Sequence, residues 1–363
     1  MNKPICLFFS VSIFCSCNFQ PEKNTEVEDQ ATKTELQAVK KIDVHSHYKY
    51  DRDYLPDFFK KWNLQGILVD VATEKQNTIV RSWDEYVEIA KSHPDLFWLC
   101  SSLIGVDIDK PDFAEQEINR LRQEIKDGAK MVKVWKNFGM VTKDKSGNFI
   151  QIDDERLQPI WDFLRDNNIP VIAHIGEPVQ AWRPLNDPYN PHYGYYKDHP
   201  EYHAYQHTEI PTYETIIAAR DRWIANNPAL KIVCAHLGSM SHDVSMVAER
   251  LDKFQNLYAE PAARFGDLAG QDPEIVKAFF EKYQDRLFFG TDYGTNQRQD
   301  SLSELQLQNE LTYLDTNYDL LWRYLSSSDS LEIRNQRTKG LALPTNILNK
   351  VYYQNVIDLL ELN

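Results

Sequence analysis

The chain has 363 residues, a formal charge of −14 and no Lys/Arg-rich block. Affinity for a nucleic-acid backbone rests on neutralising phosphates, so this balance excludes a sequence-independent grip on DNA or RNA and leaves a soluble acidic surface. Length alone does not demand a second domain, because α/β barrels run past the average domain size as single units.

Residues 1–17 differ from everything after them: Lys3 is their only charge and Ile5 to Phe14 is nearly all apolar. A stretch this short reads as a secretory signal peptide rather than a membrane-spanning helix. It ends Phe14-Cys15-Ser16-Cys17-Asn18, with a small residue before Cys17, the pattern of a bacterial lipoprotein cleavage box; Phe14 stands where Leu is usual. We expect an exported periplasmic or cell-envelope lipoprotein, anchored through Cys17 and touching the membrane only through that lipid. Residues 18–40 are polar, charged and free of Gly, and read as a flexible tether. The domain proper is then 41–363.

Within it, short apolar runs alternate with amphipathic stretches, the signature of strand-helix units and a parallel sheet. The strands fall at 41–47, 65–71, 96–102, 129–135, 170–175, 231–236, 256–260 and 286–291. Helical patterns lie between them at 83–92, 112–127, 154–168, 212–227, 241–254 and 272–284, with Asp153 or Asp154 and Pro211-Thr212 as starts. The first crossover, 52–63, is short and weak. From Tyr318 onward the chain reads as helices packing on the outside, with Leu343-Pro344 opening the last pair. Eight strands are what a closed (β/α)8 barrel requires.

Two loops are far longer than usual, Gly176 to Ile210 and Tyr293 to about Thr316. The first is crowded with aromatics and reads as a lid over a pocket. Its histidines, His192, His199, His203 and His207, are irregularly spaced and read as solvated or hydrogen-bonding groups. Only Cys100 and Cys234 lie beyond the leader, on strands too far apart for a disulfide. Cys234 shares parity with His236 and is expected to fill the bore.

His45, His47, His174, His236 and Asp292 each stand where an apolar run stops and a polar loop begins. Barrel strands converge at their C-terminal ends, so residues there share one open face. The run Lys41-Ile42-Asp43-Val44-His45-Ser46-His47 puts Asp43, His45 and His47 on one side by the strand period of two. Asp43 lies deeper and is expected to orient an imidazole. Three imidazoles and a carboxylate make a first-row metal site with room for water.

Asp43-Val44-His45-Ser46-His47, Val171 to His174, Ala235-His236-Leu237-Gly238 and Phe289-Gly290-Thr291-Asp292 resemble the strand signatures of the amidohydrolase superfamily. The likeness is to its amidohydrolase-related branch, which holds aminocarboxymuconate-semialdehyde decarboxylase, resorcylate decarboxylases and dicarboxylate lactonases. It covers residues 41 to 360. The resemblance implies a distorted TIM barrel with extra C-terminal helices and one divalent metal, zinc before manganese. His45, His47, His174 and Asp292 would be ligands, and His236 would contact the attacking water or the substrate. Some superfamily members carry a carboxylated lysine bridging two metals at the end of strand 4, where this chain has Lys133; a single metal is the expectation here.

Such a metal acidifies water. Asp292 would then take that water's proton and return it to the leaving group, while His236 polarises the carbonyl or holds the water in line. The expected activity is hydrolysis of a lactone, ester or amide. The same residues also suit a lyase, decarboxylating or hydrating, and a non-catalytic ligand-binding lipoprotein is the third alternative. Glu177 reads either as a substrate or orienting carboxylate or as a loop salt bridge, and Arg183 and Arg264 either as ordinary surface or structural arginines or as rim groups for an anion. The expected partner is a small-molecule substrate; a homodimer is compatible with the sequence.

Overall fold

The computed structural model describes residues 38–75 and 78–362. The expected signal peptide, Cys17 and nearly all of the expected tether lie outside the described residues. Among the described residues, no helix is long and apolar enough to cross a membrane.

Eight parallel strands form the central sheet: β1 Lys41–Tyr48, β2 Leu64–Val69, β3 Phe97–Ser102, β4 Ala129–Val134, β5 Val171–Ala173, β6 Ile232–Cys234, β7 Leu257–Ala259 and β8 Tyr293–Thr295. The pairing order is β8-β1-β2-β3-β4-β5-β6-β7. Residues 286–289 close the ring between β7 and β1. Ala259 N donates to Arg286 O and Phe288 N to Ala259 O, both at 3.0 Å, and Val44 N donates to Phe289 O at 3.0 Å. The expected strand 286–291 is thus an approach held by single bonds. Regular pairing starts only at Tyr293, because Asp292 takes a left-handed conformation, φ 66°, that breaks a ladder.

The helices expected between strands form at Trp83–Ser92, Phe113–Lys126, Gln158–Asp166, Tyr213–Asn226, Val244–Lys253 and Pro273–Lys282. The weak first crossover also holds a helix, Leu55–Trp62, which buries Leu55, Phe58, Phe59 and Trp62 on one side. Side-chain caps set several starts: Asp154 accepts from Arg156 N, and Thr212 from Thr215 N. The second long loop is shorter than expected. Ser303 and Gln306 form a capping box that starts a helix at Glu304, running to Ser326. A hairpin follows, Ser330–Ile333 against Gln336–Lys339.

Two apolar layers hold the barrel. The inner one stacks Ile42, Val44, Ile67, Val69, Cys100, Met131, Ile172, Val233 and Phe288 with Val356 and Leu359 from the C-terminus. The last helices therefore plug the base of the bore, where Asn355 Nδ2 donates to Gln284 O at 2.7 Å and Leu287 O at 2.8 Å. The outer layer lies between sheet and helices.

Parity fails at two places. The β1–β2 register shifts between Asp43 and Ser46, as a bulge does. Ile42 and Val44 fill the bore, His45 and His47 line the mouth, and Asp43 turns outward to accept from Tyr318 OH at 2.7 Å and Thr291 N at 3.1 Å. Asp43 orients no imidazole; it accepts from the backbone N of His45 at 3.0 Å. Cys234 lies in the outer layer and Val233 and Ala235 in the inner one. Strand β6 ends at Cys234, so parity read back from His236 does not apply.

Candidate metal centre

Four imidazoles and one carboxylate meet at the barrel mouth, and the backbone presets most of the rings. His45 Nδ1 lies 2.7 Å from Glu260 Oε1, a carboxylate with no solvent exposure that also accepts from His236 N at 3.1 Å and from Ala262 N. His47 Nδ1 donates to Val69 O at 2.8 Å, and His236 Nδ1 to Ala262 O at 2.7 Å. An acceptor on Nδ1 fixes the proton there and leaves the Nε2 lone pair for a metal or a proton. His47 Nε2 is 3.0 Å and His45 Nε2 3.5 Å from Asp292 Oδ1. The His174 ring centroid is 4.3 Å from that of His236, which is 4.9 Å from that of His45.

A run of unusual backbone aims His236. His236, Leu237, Gly238 and Ser239 all have φ between 55° and 62°, a left-handed turn that side chains with a Cβ resist by about 1–2 kcal/mol each. Its surroundings hold it. Leu237 N donates to Glu260 O at 2.8 Å, Ser239 Oγ to Ile175 O at 3.0 Å, Tyr213 OH to Ser239 O at 2.9 Å, and buried Arg220 to Gly238 O. Strain kept this way clusters at functional sites.

The electrostatics favour ligand forms. Burial holds the imidazolium forms of His174 and His236 well below the ordinary histidine range, and neighbouring positive charges deepen both shifts. Burial pushes Asp292 up, but His45, His47 and His236 outweigh it and hold the carboxyl well below its usual range. Neutral imidazoles around a carboxylate are a cation's donor set.

A ligand atom from each of His45, His236 and Asp292 lies within 4.8 Å of the others. His47 joins through Asp292 and His174 through His236. His174 Nε2 is buried with no hydrogen-bond partner, an omission that costs free energy unless a ligand or ion fills it. These residues fit a divalent cation. Lys133 Nζ stands 3.0 Å from His45 Nε2, its pKa brought down to about 8 chiefly by burial.

Above the imidazoles opens a cavity of about 220 Å³, walled also by Lys133, Trp135, Lys136, Glu177, His192, Tyr195, Arg264 and Arg334. Glu177 is buried and pairs with Lys136, and Tyr196 OH donates to it at 3.2 Å; it therefore ties the long loop after β5 to the segment that follows β4. Arg264 borders the cavity, whereas Arg183 does not. The Arg183 carbonyl instead accepts from His203 Nε2 at 2.8 Å inside the lid. His207 bonds Pro200 O at 3.0 Å, and His199 is exposed beside Glu201. Of the lid histidines, His192 alone lines the cavity.

The sequence reading does not single out Glu260 or Arg334. Glu260 ends its apolar run as the histidines end theirs, and that position was its available signal. Arg334 sits at the tip of the C-terminal hairpin, which no local pattern brings to the mouth.

A profile of the amidohydrolase family matches residues 42–362. No curated protein sequence matches the chain. Among solved structures, an uncharacterised TIM-barrel protein from Bordetella bronchiseptica is similar, with 16% identity over 89% of this chain and 99% of its own, at a TM-score of 0.50. A 2,6-dihydroxybenzoate decarboxylase from Rhizobium is similar at 13% identity over the same shares, 89% and 99%, with a TM-score of 0.50. At these identities the likeness is one of fold. The length of the family match, with the parallel barrel that carries it, places this chain in the amidohydrolase family.

Proposed function

We propose that the protein is a metal-dependent hydrolase of a small carbonyl compound, a lactone, ester or amide, with His45, His47, His174 and Asp292 as ligands of one zinc or manganese ion. The observation that carries this reading is the pair of Nδ1 bonds from His45 to Glu260 and from His47 to Val69 O, which leaves two Nε2 lone pairs beside Asp292, together with the partnerless Nε2 of His174. When bound, the ion supplies Lewis acidity and makes water a readier nucleophile.

The chain's own groups do the rest. Asp292, a carboxylate about a third open to the cavity, takes the proton of the attacking water and returns it to the leaving group. His236 has its only N–H committed to Ala262 O, so Nε2 accepts a hydrogen bond and holds the water in line. Polarising the carbonyl would require an imidazolium, which burial disfavours. The lid excludes bulk water through Tyr195 and the Lys136–Glu177 pair.

Elemental mass spectrometry on the full chain should find near one equivalent of zinc or manganese, absent from a His45→Ala, His47→Ala double variant. A screen of lactones and esters should then give ring-opened or cleaved acids. Metal-dependent release of carbon dioxide would replace this reading with a lyase, and a chain that takes up neither ion would overturn it.

A further inference from the structure

The wall made by the lid, the loop after β7 and the C-terminal hairpin carries a histidine that the proposed hydrolysis does not use. His192 is 5% exposed. Its Nε2 lies 2.9 Å and 2.8 Å from the two oxygens of Asp267, which is 6% exposed. Ser241 Oγ, with no exposure, donates to Asp267 Oδ2 at 2.6 Å. Burial pushes Asp267 up, yet the hydrogen bonds of His192 and Ser241 and the nearby charges bring it below the ordinary value. A carboxylate only accepts, so Nε2 carries a hydrogen, and the neutral tautomer that this selects has its lone pair on Nδ1.

Among the described residues the ring's hydrogen bonds all run through Nε2, and His192 borders the cavity. His192 is held tightly for a loop residue: its N donates to Asn190 Oδ1 at 2.9 Å, and its carbonyl accepts from Tyr196 N at 3.1 Å. Lys136, Arg264 and Arg334 line the same cavity as donors, with the Glu177 carboxylate taken up by Lys136. Arg264 Nε is buried without a partner. A ligand in this cavity meets these cationic donors and, at His192, a ring nitrogen.

We propose that His192, positioned by Asp267, is a specificity residue whose Nδ1 accepts a hydrogen bond from a hydroxyl group of the substrate. The substrate class is therefore a hydroxylated carbonyl compound. Its kinetic arm rests on the hydrolase reading. A site built to pair a hydroxyl rejects the analogue that lacks it, because its own polar group is then left unpaired.

The test uses the full chain loaded with zinc and two pairs of probes: D-glucono-δ-lactone against δ-valerolactone, and a ring-hydroxylated dihydrocoumarin against dihydrocoumarin. Wild type should favour the hydroxylated member of at least one pair by about a hundredfold or more in kcat/KM. His192→Phe should cut that ratio at least tenfold. Asp267→Asn should cut it less, and ¹⁵N-histidine NMR should show the His192 proton, on Nε2 in wild type, redistributed between the ring nitrogens.

Equal proportional losses on both members of each pair would overturn the proposal, as would a proton on Nδ1 in wild type. Turnover of no lactone by the loaded protein would remove the hydrolase reading. His192 would then be judged by NMR alone, with a proton-free Nδ1 supporting the proposal and a protonated one ending it.

Discussion

Glu260 decides which nitrogen of His45 faces the cavity, since its carboxylate takes the Nδ1 proton at 2.7 Å while also accepting from His236 N. Glu260→Gln keeps the size and loses the charge, so a chelator-competition assay should find metal affinity lowered about 10- to 100-fold. A variant that binds as tightly as wild type would show that His45 needs no carboxylate. The five strand-end residues are legible in sequence because each closes an apolar run, and two share one short strand. Glu260 closes a run as well, but one carboxylate after Tyr258-Ala259 has no nearby partner in sequence to mark it. His192 is harder still. Nothing in the lid's spacing separates it from His203 or His207, and only its meeting with Asp267 sets it apart.

At the scale of elements, the left-handed turn at 236–239 is the least conventional piece of backbone in the site. Gly238 sits at φ 62°, and a Cβ there would meet Arg220 Nη1 at 2.8 Å and Cys234 Sγ at 3.2 Å. Gly238→Ala combines a left-handed penalty of about 1–2 kcal/mol with that crowding. Its urea midpoint should fall accordingly, whereas Gly147→Ala, which shares a positive φ but has open space around its Cβ, should lose less. An equal loss would show that Arg220 gives way freely. Most helices are readable to within a few residues because caps such as Thr212 and amphipathic faces are local signals. The bulge in β1 and the early end of β6 are not local. Both depend on what lies across the sheet, which is why Asp43 and Cys234 turn out on the opposite side from the one parity assigns.

For the whole molecule, the base of the barrel is a second test of the packing. Leu359 completes the inner layer from the C-terminus, and Leu359→Ala should cost about 2–5 kcal/mol, read from denaturant unfolding of the full chain. A ligand that binds only the folded state adds stability by mass action. Zinc at about a hundred times its dissociation constant should therefore add about 2.7 kcal/mol to wild type and nothing to the His45→Ala, His47→Ala double variant. Unchanged unfolding of wild type with zinc would argue against a preformed site. The barrel itself is legible from eight apolar runs. The helix beginning at Glu304 is less so, because its early turns are polar and only Ser303 and Gln306 mark them.

The ring closes by pairing Val44 with Phe289 and is then sealed by Val356 and Leu359. Contacts so far apart in sequence carry the loop-closure cost first and the reward last. A growing chain stopped short of residue 286 has already made every imidazole of the centre, yet it has neither Asp292 nor a closed ring to seat them. Competence to bind metal should therefore arrive as a late, all-or-none event of folding, after synthesis of the whole chain rather than during it.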